Sequence, residues 1–237
     1  LSRGGEKLPY APRLRAISHL LVGESAHALQ DKVVRDEHYL LAMEQVGMRD
    51  AQEARDGVQL RSAHWALHDH NATTALKRLD ELPVGTARRT LALRLRLRAA
   101  RMARRTGVAL ETARLLAKHG AFSAPAAQGV LRSLALELIA AAHDEAQLRK
   151  AWEQLEDAER TMPEVATAAA ERALMLGADV ALSRSWLLPV WERVVSEPSA
   201  MSPSQRARVV QVLEDGFAKA AGAPDAAWLT RIETAQM

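Results

Sequence analysis

Internal repetition constrains the fold of this 237-residue chain more than any other feature. Residues 27–46 align with residues 65–84 at an offset of 38 residues, with identical residues at five matched positions. Residues that favour turns recur with a similar rhythm, at Asp31, Asp69, Gly107, Asp144 and Asp179. A second series lies between them, at Gly47, Pro83 to Gly85, Gly120 to Pro125, Pro163 and Pro198 to Pro203. Each period therefore contains two helices.

The composition predicts an all-α protein. Alanine and leucine abound, β-branched residues are sparse, and only 4% of residues are aromatic. The absence of cysteine excludes disulfides, thiolate metal ligands and cysteine nucleophiles. No apolar run approaches the roughly 18 residues of a membrane helix, and no signal peptide is visible. We therefore expect the chain as given to be soluble, as an excised part of a longer protein.

The predicted helices follow the spacing of these turns. Two helix starts carry the pattern of a capping box, Thr161 with Glu164 and Ser202 with Gln205. Pro189 predicts a kink or break near Leu188. The predicted helical ranges are 12–30, 32–46, 50–68, 72–82, 86–105, 108–119, 125–142, 145–160, 163–176, 180–195, 203–221 and 225–233.

The densest charge feature is a run of eight arginines between Glu81 and Glu111. Alternating leucines at its start suggest a strand, but the run continues as AARMARR and stops at Gly107, which favours a helix of about six turns. Four of the arginines then form one stripe: Arg94, Arg98, Arg101 and Arg105. Three adjacent like-charge pairs cost on the order of 1 kcal/mol. The stripe is either a solvated face or a surface that binds anions through the planar guanidinium fork.

The tetratricopeptide repeat places a small residue early in its second helix and a bulky residue four positions later. Three pairs of residues in this chain resemble that pattern, although leucine replaces the small residue in two of them. The pairs are Ala75 with Leu79, Leu148 with Trp152, and Leu182 with Trp186. The resemblance implies an α-solenoid of about five helical hairpins that forms a right-handed superhelix. The expected organisation is a flexible lead-in at residues 1–10, a repeat domain at 11–197, and a capping or truncated helix pair of the same domain at 198–237.

The order of segments extends this resemblance. RDEHYLLAM follows HALQDK, then come ALKRLDEL, the arginine-rich helix and LLAKHGAFSAPA, an order similar to the repeat region of HemY-type proteins of haem biosynthesis. This resemblance implies a non-catalytic accessory or scaffold that binds protein partners, among them haem-biosynthesis enzymes. It also implies a soluble domain of a protein anchored in the bacterial inner membrane, with the cytoplasmic face favoured over the periplasmic face.

In the tetratricopeptide family the first helix of each pair lines a concave groove. This resemblance places the four arginines of the stripe in the groove, together with three acidic residues, Glu137, Glu164 and Glu171. The expected ligand is an acidic or extended partner segment, and an anionic membrane surface is an alternative. Nucleic acid is not expected, because no aromatic stacking platform is interleaved with the arginines.

Two histidines on one helix face offer a different interpretation. His64 and His68 lie four residues apart, a spacing that can hold a metal or give haem iron an axial ligand. A tetrapyrrole-binding module is therefore the alternative function, with arginines on the propionates, whereas Asp69 to Asn71 also fit a polar turn at the helix end. The remaining histidines (His19, His27, His38, His119, His143) are interpreted as surface or capping residues. The five tryptophans are predicted core residues, and no catalytic motif or other cofactor is expected.

Overall fold

A computed structural model describes residues 11–46, 52–219 and Thr230. Every regular element in these ranges is a helix and none is a strand, which confirms the all-α prediction. The lead-in at residues 1–10 lies outside the described residues, as do Trp228 and, except for Thr230, the predicted helix at 225–233.

The chain divides into two compact units, Leu1–Phe122 and Ser123–Met237. In the first unit the helices are α1 (Ala11–Ala28), α2 (Lys32–Gln45), α3 (Gln52–His68), α4 (Ala72–Asp80), α5 (Val84–Ala87), α6 (Thr90–Met102) and α7 (Thr106–Lys118). Three antiparallel pairs pack together, α1 with α2, α3 with α4 and α6 with α7. The first helices of these pairs also contact in turn, α1 against α3 and α3 against α6.

The three hairpins of the first unit turn in the same way. Gln30, His70 and Arg104 adopt left-handed backbone conformations, with φ of 63°, 58° and 54°. In each turn the next residue donates its N–H to the carbonyl five positions back, at 2.8–2.9 Å, which is the Schellman ending of a helix. Asp31 and Asn71 then cap α2 and α4 by accepting backbone N–H bonds at 3.1 and 3.0 Å.

The prediction of one helix from residue 86 to residue 105, stopped by Gly107, is wrong. The chain is extended at Arg89, where ψ is 144°, and this residue separates α5 from α6. The left-handed turn at Arg104 ends α6, so Gly107 lies inside α7. Thr86 is buried before the break and donates its hydroxyl to the Asp56 carboxylate. This tertiary contact anchors the short helix α5 against α3.

The second unit contains α8 (Ala124–Ala140), α9 (Glu145–Glu153), α10 (Asp157–Arg160), α11 (Pro163–Met175), α12 (Val180–Ser196), a 3-10 turn (Pro198–Ala200) and α13 (Pro203–Lys219). Helix α11 is central, because α8, α12 and α13 all pack against it. Four of its buried residues are alanines, at positions 166, 169, 170 and 173. Small side chains on this helix allow its neighbours to approach closely.

Some of the helix boundaries predicted for the second unit are confirmed and others are wrong. The capping box at the start of α13 is confirmed, since Gln205 accepts from the Ser202 N–H at 2.8 Å and donates its own N–H to the Ser202 hydroxyl at 3.2 Å. The predicted box at Thr161 is wrong, because Thr161 is the C-cap of α10 and its hydroxyl donates to the carbonyl of Asp157 in that helix. Helix α12 runs through Pro189 without a break. The predicted helix at 145–160 ends instead at Glu153.

Tryptophans occupy the cores, as predicted for those that the structure describes. Trp65 is 2% exposed and its ring packs on Gly23 of α1, where an added Cβ would lie 2.9 Å from the ring. Its indole N–H donates to Glu24 at 2.8 Å. In the second unit the half-buried Trp152 stacks on buried Trp186 with ring centroids 4.7 Å apart. These rings fix the contacts between neighbouring helices.

Candidate functional site

Helix α6 presents a row of guanidinium groups, which we call the arginine face and define as Arg94, Arg98 and Arg101. All three residues are exposed, and their spacing of four and three residues places them on one side of the helix. The opposite side of α6 is buried through Leu93, Ala99 and Ala100, among others. Packing of the apolar side against α3, α4 and α7 therefore sets the direction of the arginines.

The charges on this face are incompletely compensated. Arg94 and Arg98 form no ion pair with any residue that the structure describes, whereas Arg101 takes part in an interaction within the chain. Arg96 points elsewhere and pairs with Asp80 of α4 at 2.5 Å. Arg94 and Arg98 repel each other across one helical turn, at a cost of about 0.2 to 0.5 kcal/mol. A bound anion would remove this repulsion.

Arg105 does not belong to the arginine face. It follows the left-handed residue Arg104 and is the N-cap position of α7, so it lies in the hairpin turn. The predicted four-residue stripe assumed that α6 continued to residue 105. The face is one arginine shorter because α6 ends at Met102, before the left-handed turn at Arg104.

The three acidic residues predicted for the groove lie in the second unit and have partners there. Glu164 accepts hydrogen bonds from Arg132 of α8 at 3.1 Å and from Gln205 of α13 at 3.0 Å. Glu171 accepts from Arg208 of α13 at 2.6 Å. Exposed Glu137 accepts from Ser133 within α8 at 3.3 Å. The glutamates of α11 thus join neighbouring helices, beside a cleft of about 420 Å³ between α11 and α13. A basic partner would have to compete with these arginines.

The predicted ligand pair His64 and His68 is exposed on α3. His68 contacts His27 of α1 edge to face, with ring centroids 4.8 Å apart, and His27 also stacks near Trp65. His27 was predicted to be a surface or capping residue, but the structure places its half-buried ring in this cluster. No local signal connects His27 with His68, because only the packing of α1 on α3 brings them together.

An ion pair lies beneath these histidines. Arg35 of α2 is 7% exposed, donates to Asp69 at 2.6 Å, and lies 3.3 Å from Nδ1 of His27. Burial lowers the pKa of His27, and the neighbouring His68 and Arg35 lower it further. Burial opposes ionisation of Asp69, but the hydrogen bond and charge of Arg35 outweigh it and keep the pKa of Asp69 below its usual value. We call His27, Arg35, His68 and Asp69 the junction. This environment favours neutral His27 and ionised Asp69.

This junction also contains the donor types of a transition-metal site. Ligand atoms of His27, His68 and Asp69 lie within 4.8 Å of one another. Two observations oppose metal binding: Arg35 already occupies the Asp69 carboxylate, and an environment that resists a proton on His27 also resists a divalent cation. The geometry supports a hydrogen-bonded junction of α1, α2 and α3 better than a metal centre.

Comparisons of the chain with models of known protein families, with curated proteins and with solved structures found no match. In the part of the chain that the structure describes, no helix combines the length and the apolar character needed to cross a membrane.

Proposed function

We propose that this protein is a non-catalytic binding scaffold that holds an acidic, extended segment of a protein partner against the arginine face of α6. The observation that carries the proposal is the pair Arg94 and Arg98. These two exposed guanidinium groups lie one helical turn apart and have no ion pair among the described residues. Planar guanidinium forks suit carboxylates, which an acidic segment would supply in a row.

The packing order supports an α-solenoid of the tetratricopeptide type as the scaffold. Each unit contains helical hairpins. In the first unit the first helices of the hairpins contact in succession, α1, α3 and α6, and in the second unit α8 and α13 both pack against α11. Such stacking buries the apolar side of each hairpin against its neighbours and leaves one side of each first helix exposed. The proposed architecture is a right-handed superhelix of about five hairpins.

The similarity of the segment order to HemY-type proteins suggests the cellular role. The partner would be an enzyme of haem or porphyrin synthesis at the bacterial inner membrane, with the domain on the cytoplasmic face. Anionic lipid headgroups are an alternative ligand for the same arginines, because they offer the same negative charge. This part of the proposal depends on the sequence resemblance alone.

The test is binding of a fluorescein-labelled peptide of alternating glutamate and alanine to the full chain, measured by fluorescence anisotropy. We expect saturable binding that weakens as salt rises. The double variant Arg94→Glu/Arg98→Glu should weaken it by roughly tenfold or more, since charge-assisted hydrogen bonds contribute about 1.5 to 3 kcal/mol each.

A matched control variant reverses two positive charges at another exposed position of the chain. Arg149 and Lys150 lie on α9 in the second unit, and Arg149→Glu/Lys150→Glu should leave peptide affinity within about twofold of wild type. Equal loss in both double variants would show a net-charge effect and contradict the assignment to α6. Vesicles of phosphatidylglycerol and phosphatidylcholine replace the peptide in a parallel titration, which distinguishes lipid from protein ligands.

The second candidate function is tetrapyrrole binding, and the exposed imidazole of His64 favours it. His64 lies on α3, the helix that packs against α6, so an axial ligand and propionate-binding arginines occur on adjacent helices. The surroundings fit haem less well, because Glu53 and Arg61 share this exposed side of α3 and would provide no apolar walls. Titration with hemin tests it: a saturable Soret shift that His64→Ala/His68→Ala abolishes supports binding, and identical spectra for variant and wild type exclude these ligands.

A further inference from the structure

A cavity of about 230 Å³ with a mixed polar and apolar lining lies in the first unit, among α2, α3 and α4. Its lining includes both hydrogen-bonding and charged side chains, from Arg35, Tyr39, Ser62, Asn71, Thr74 and Arg78. Tyr39 and Ser62 are buried, so the inner wall of this cavity is part of the protein core. The cavity is separate from the arginine face, and the sequence did not predict that Arg78 lines it.

Arg78 is the unusual member of this lining. It is half-buried, and its Nε atom is buried without a hydrogen-bond acceptor. Its guanidinium carbon lies 4.2 Å from the centre of the Tyr39 ring, a cation–π contact that holds the planar group in place. Arg78 forms no ion pair with the residues that the structure describes. Its positive charge is therefore held at the cavity without a counter-ion from the described chain.

The other charges at the cavity compensate one another. Arg35 donates to Asp69 at 2.6 Å and to Asp36 at 2.8 Å. Lys32 lies 3.8 Å from Asp69, so the two carboxylates that line the cavity are balanced by two cations, Arg35 and Lys32. The uncompensated charge is that of Arg78. An anionic ligand in the cavity would compensate this charge through the guanidinium group.

We propose that the cavity binds a carboxylate group, with Arg78 as its charge partner. The Thr74 hydroxyl lines the same cavity and can donate to a carboxylate, whereas the Ser62 hydroxyl is hydrogen-bonded to Tyr39. The Asn71 side chain accepts from the Thr74 N–H at 3.0 Å, which orients its NH₂ group as a further donor. The volume is several times the roughly 30 Å³ that a water molecule occupies in the liquid. It suits a small free carboxylate or the terminal carboxylate of a peptide.

The experiment follows ¹H–¹⁵N NMR spectra of the labelled full chain during titration with sodium acetate at constant ionic strength. We expect saturable shifts of the Arg78 Nε–H, the Asn71 side-chain amide and the Thr74 amide, with a dissociation constant on the order of millimolar for so small a ligand. Arg78→Met should weaken binding by roughly tenfold or more. Lys77→Met removes the same charge from the adjacent, exposed position of α4 and should leave the shifts unchanged.

Arg78→Lys keeps the charge but loses the planar fork, so it tests the site even if Arg78→Met fails to fold. Its affinity for acetate should fall, although less than that of Arg78→Met. The absence of saturable shifts in the wild type would overturn the proposal, as would equal affinities in the wild type and the folded Arg78 variants. A peptide with a free carboxyl terminus and its amidated counterpart distinguish a peptide ligand from a small free carboxylate. Arg94→Glu/Arg98→Glu should retain acetate binding, which separates this site from the arginine face.

Discussion

Asp69 and Asp80 test how far burial, rather than distance, determines the contribution of an ion pair to stability. Both carboxylates accept a hydrogen bond from an arginine at nearly the same distance, 2.6 Å for Asp69 with Arg35 and 2.5 Å for Asp80 with Arg96. The side chains of the first pair are 8% and 12% exposed, whereas those of the second are 31% and 55% exposed. Distance alone would predict similar contributions from the two pairs.

We predict that Asp69→Ala destabilises the first unit by about 3 kcal/mol, whereas Asp80→Ala costs about 1 kcal/mol or less. Removing one member of a buried pair leaves an uncompensated charge, at a cost of about 3 to 5 kcal/mol. The low end applies here because Asp36 remains bonded to Arg35. An exposed pair is screened by water and contributes about 0 to 1 kcal/mol.

Urea unfolding followed by far-ultraviolet circular dichroism measures both values, with separate transitions fitted if the two units unfold independently. The double variant Arg35→Leu/Asp69→Leu is the second measurement. It should cost less than Asp69→Ala, because replacing both members by apolar residues leaves no buried charge. Equal destabilisation by Asp69→Ala and Asp80→Ala would refute the reasoning from burial.

Three further predictions concern single side chains. His70→Gly should stabilise the chain by roughly 0.5 to 1 kcal/mol in thermal unfolding, since its φ of 58° favours glycine, and loss of stability would contradict a strained turn. Because the pKa of His27 is lowered, its contribution to stability is complete above its ordinary value of 6.5 and is lost as the pH falls below that value. Urea titrations between pH 7.5 and pH 5 should therefore show a shallower decline for His27→Gln than for wild type, and parallel curves would refute this. Trp152→Ala should cost about 3 kcal/mol, near the lower end for a buried aromatic because this ring is only half-buried, with Arg149→Ala as an exposed control.

Turns and helix starts could largely be predicted from the sequence because their chemistry is local. Asp31, Asp144 and Asp179 each cap the following helix through their own side chain, as their positions in the repeat suggested. The capping box of Ser202 is equally local. The helix end predicted at Gly107 and the helix start predicted at Thr161 were both wrong. Arg104 takes the left-handed conformation without being glycine, and the Thr161 hydroxyl bonds the preceding helical turn.

The candidate sites could be predicted only in part. Arg94, Arg98 and Arg101 share a face of α6 because their positions are related by the helical period, whereas Arg105, the fourth member of the predicted stripe, lies in the following turn. Nothing in the spacing could show that Glu171 pairs with Arg208, 37 positions along the chain, or that Arg78 stacks on the Tyr39 ring. Such contacts depend on which helices are neighbours.

The amino-acid sequence by itself determined that this protein is helical, approximately where most of its helices begin and end, and that Arg94, Arg98 and Arg101 share a side of α6. Hydrogen bonds and side-chain periodicity within a few residues are sufficient for these features. The tertiary structure alone decided which charges are neutralised: it buries Arg35 against Asp69, places His27 on His68, and leaves Arg78 without an ion pair among the described residues. Those outcomes depend on burial and on partners distant in the chain, and both arise only when the helices pack.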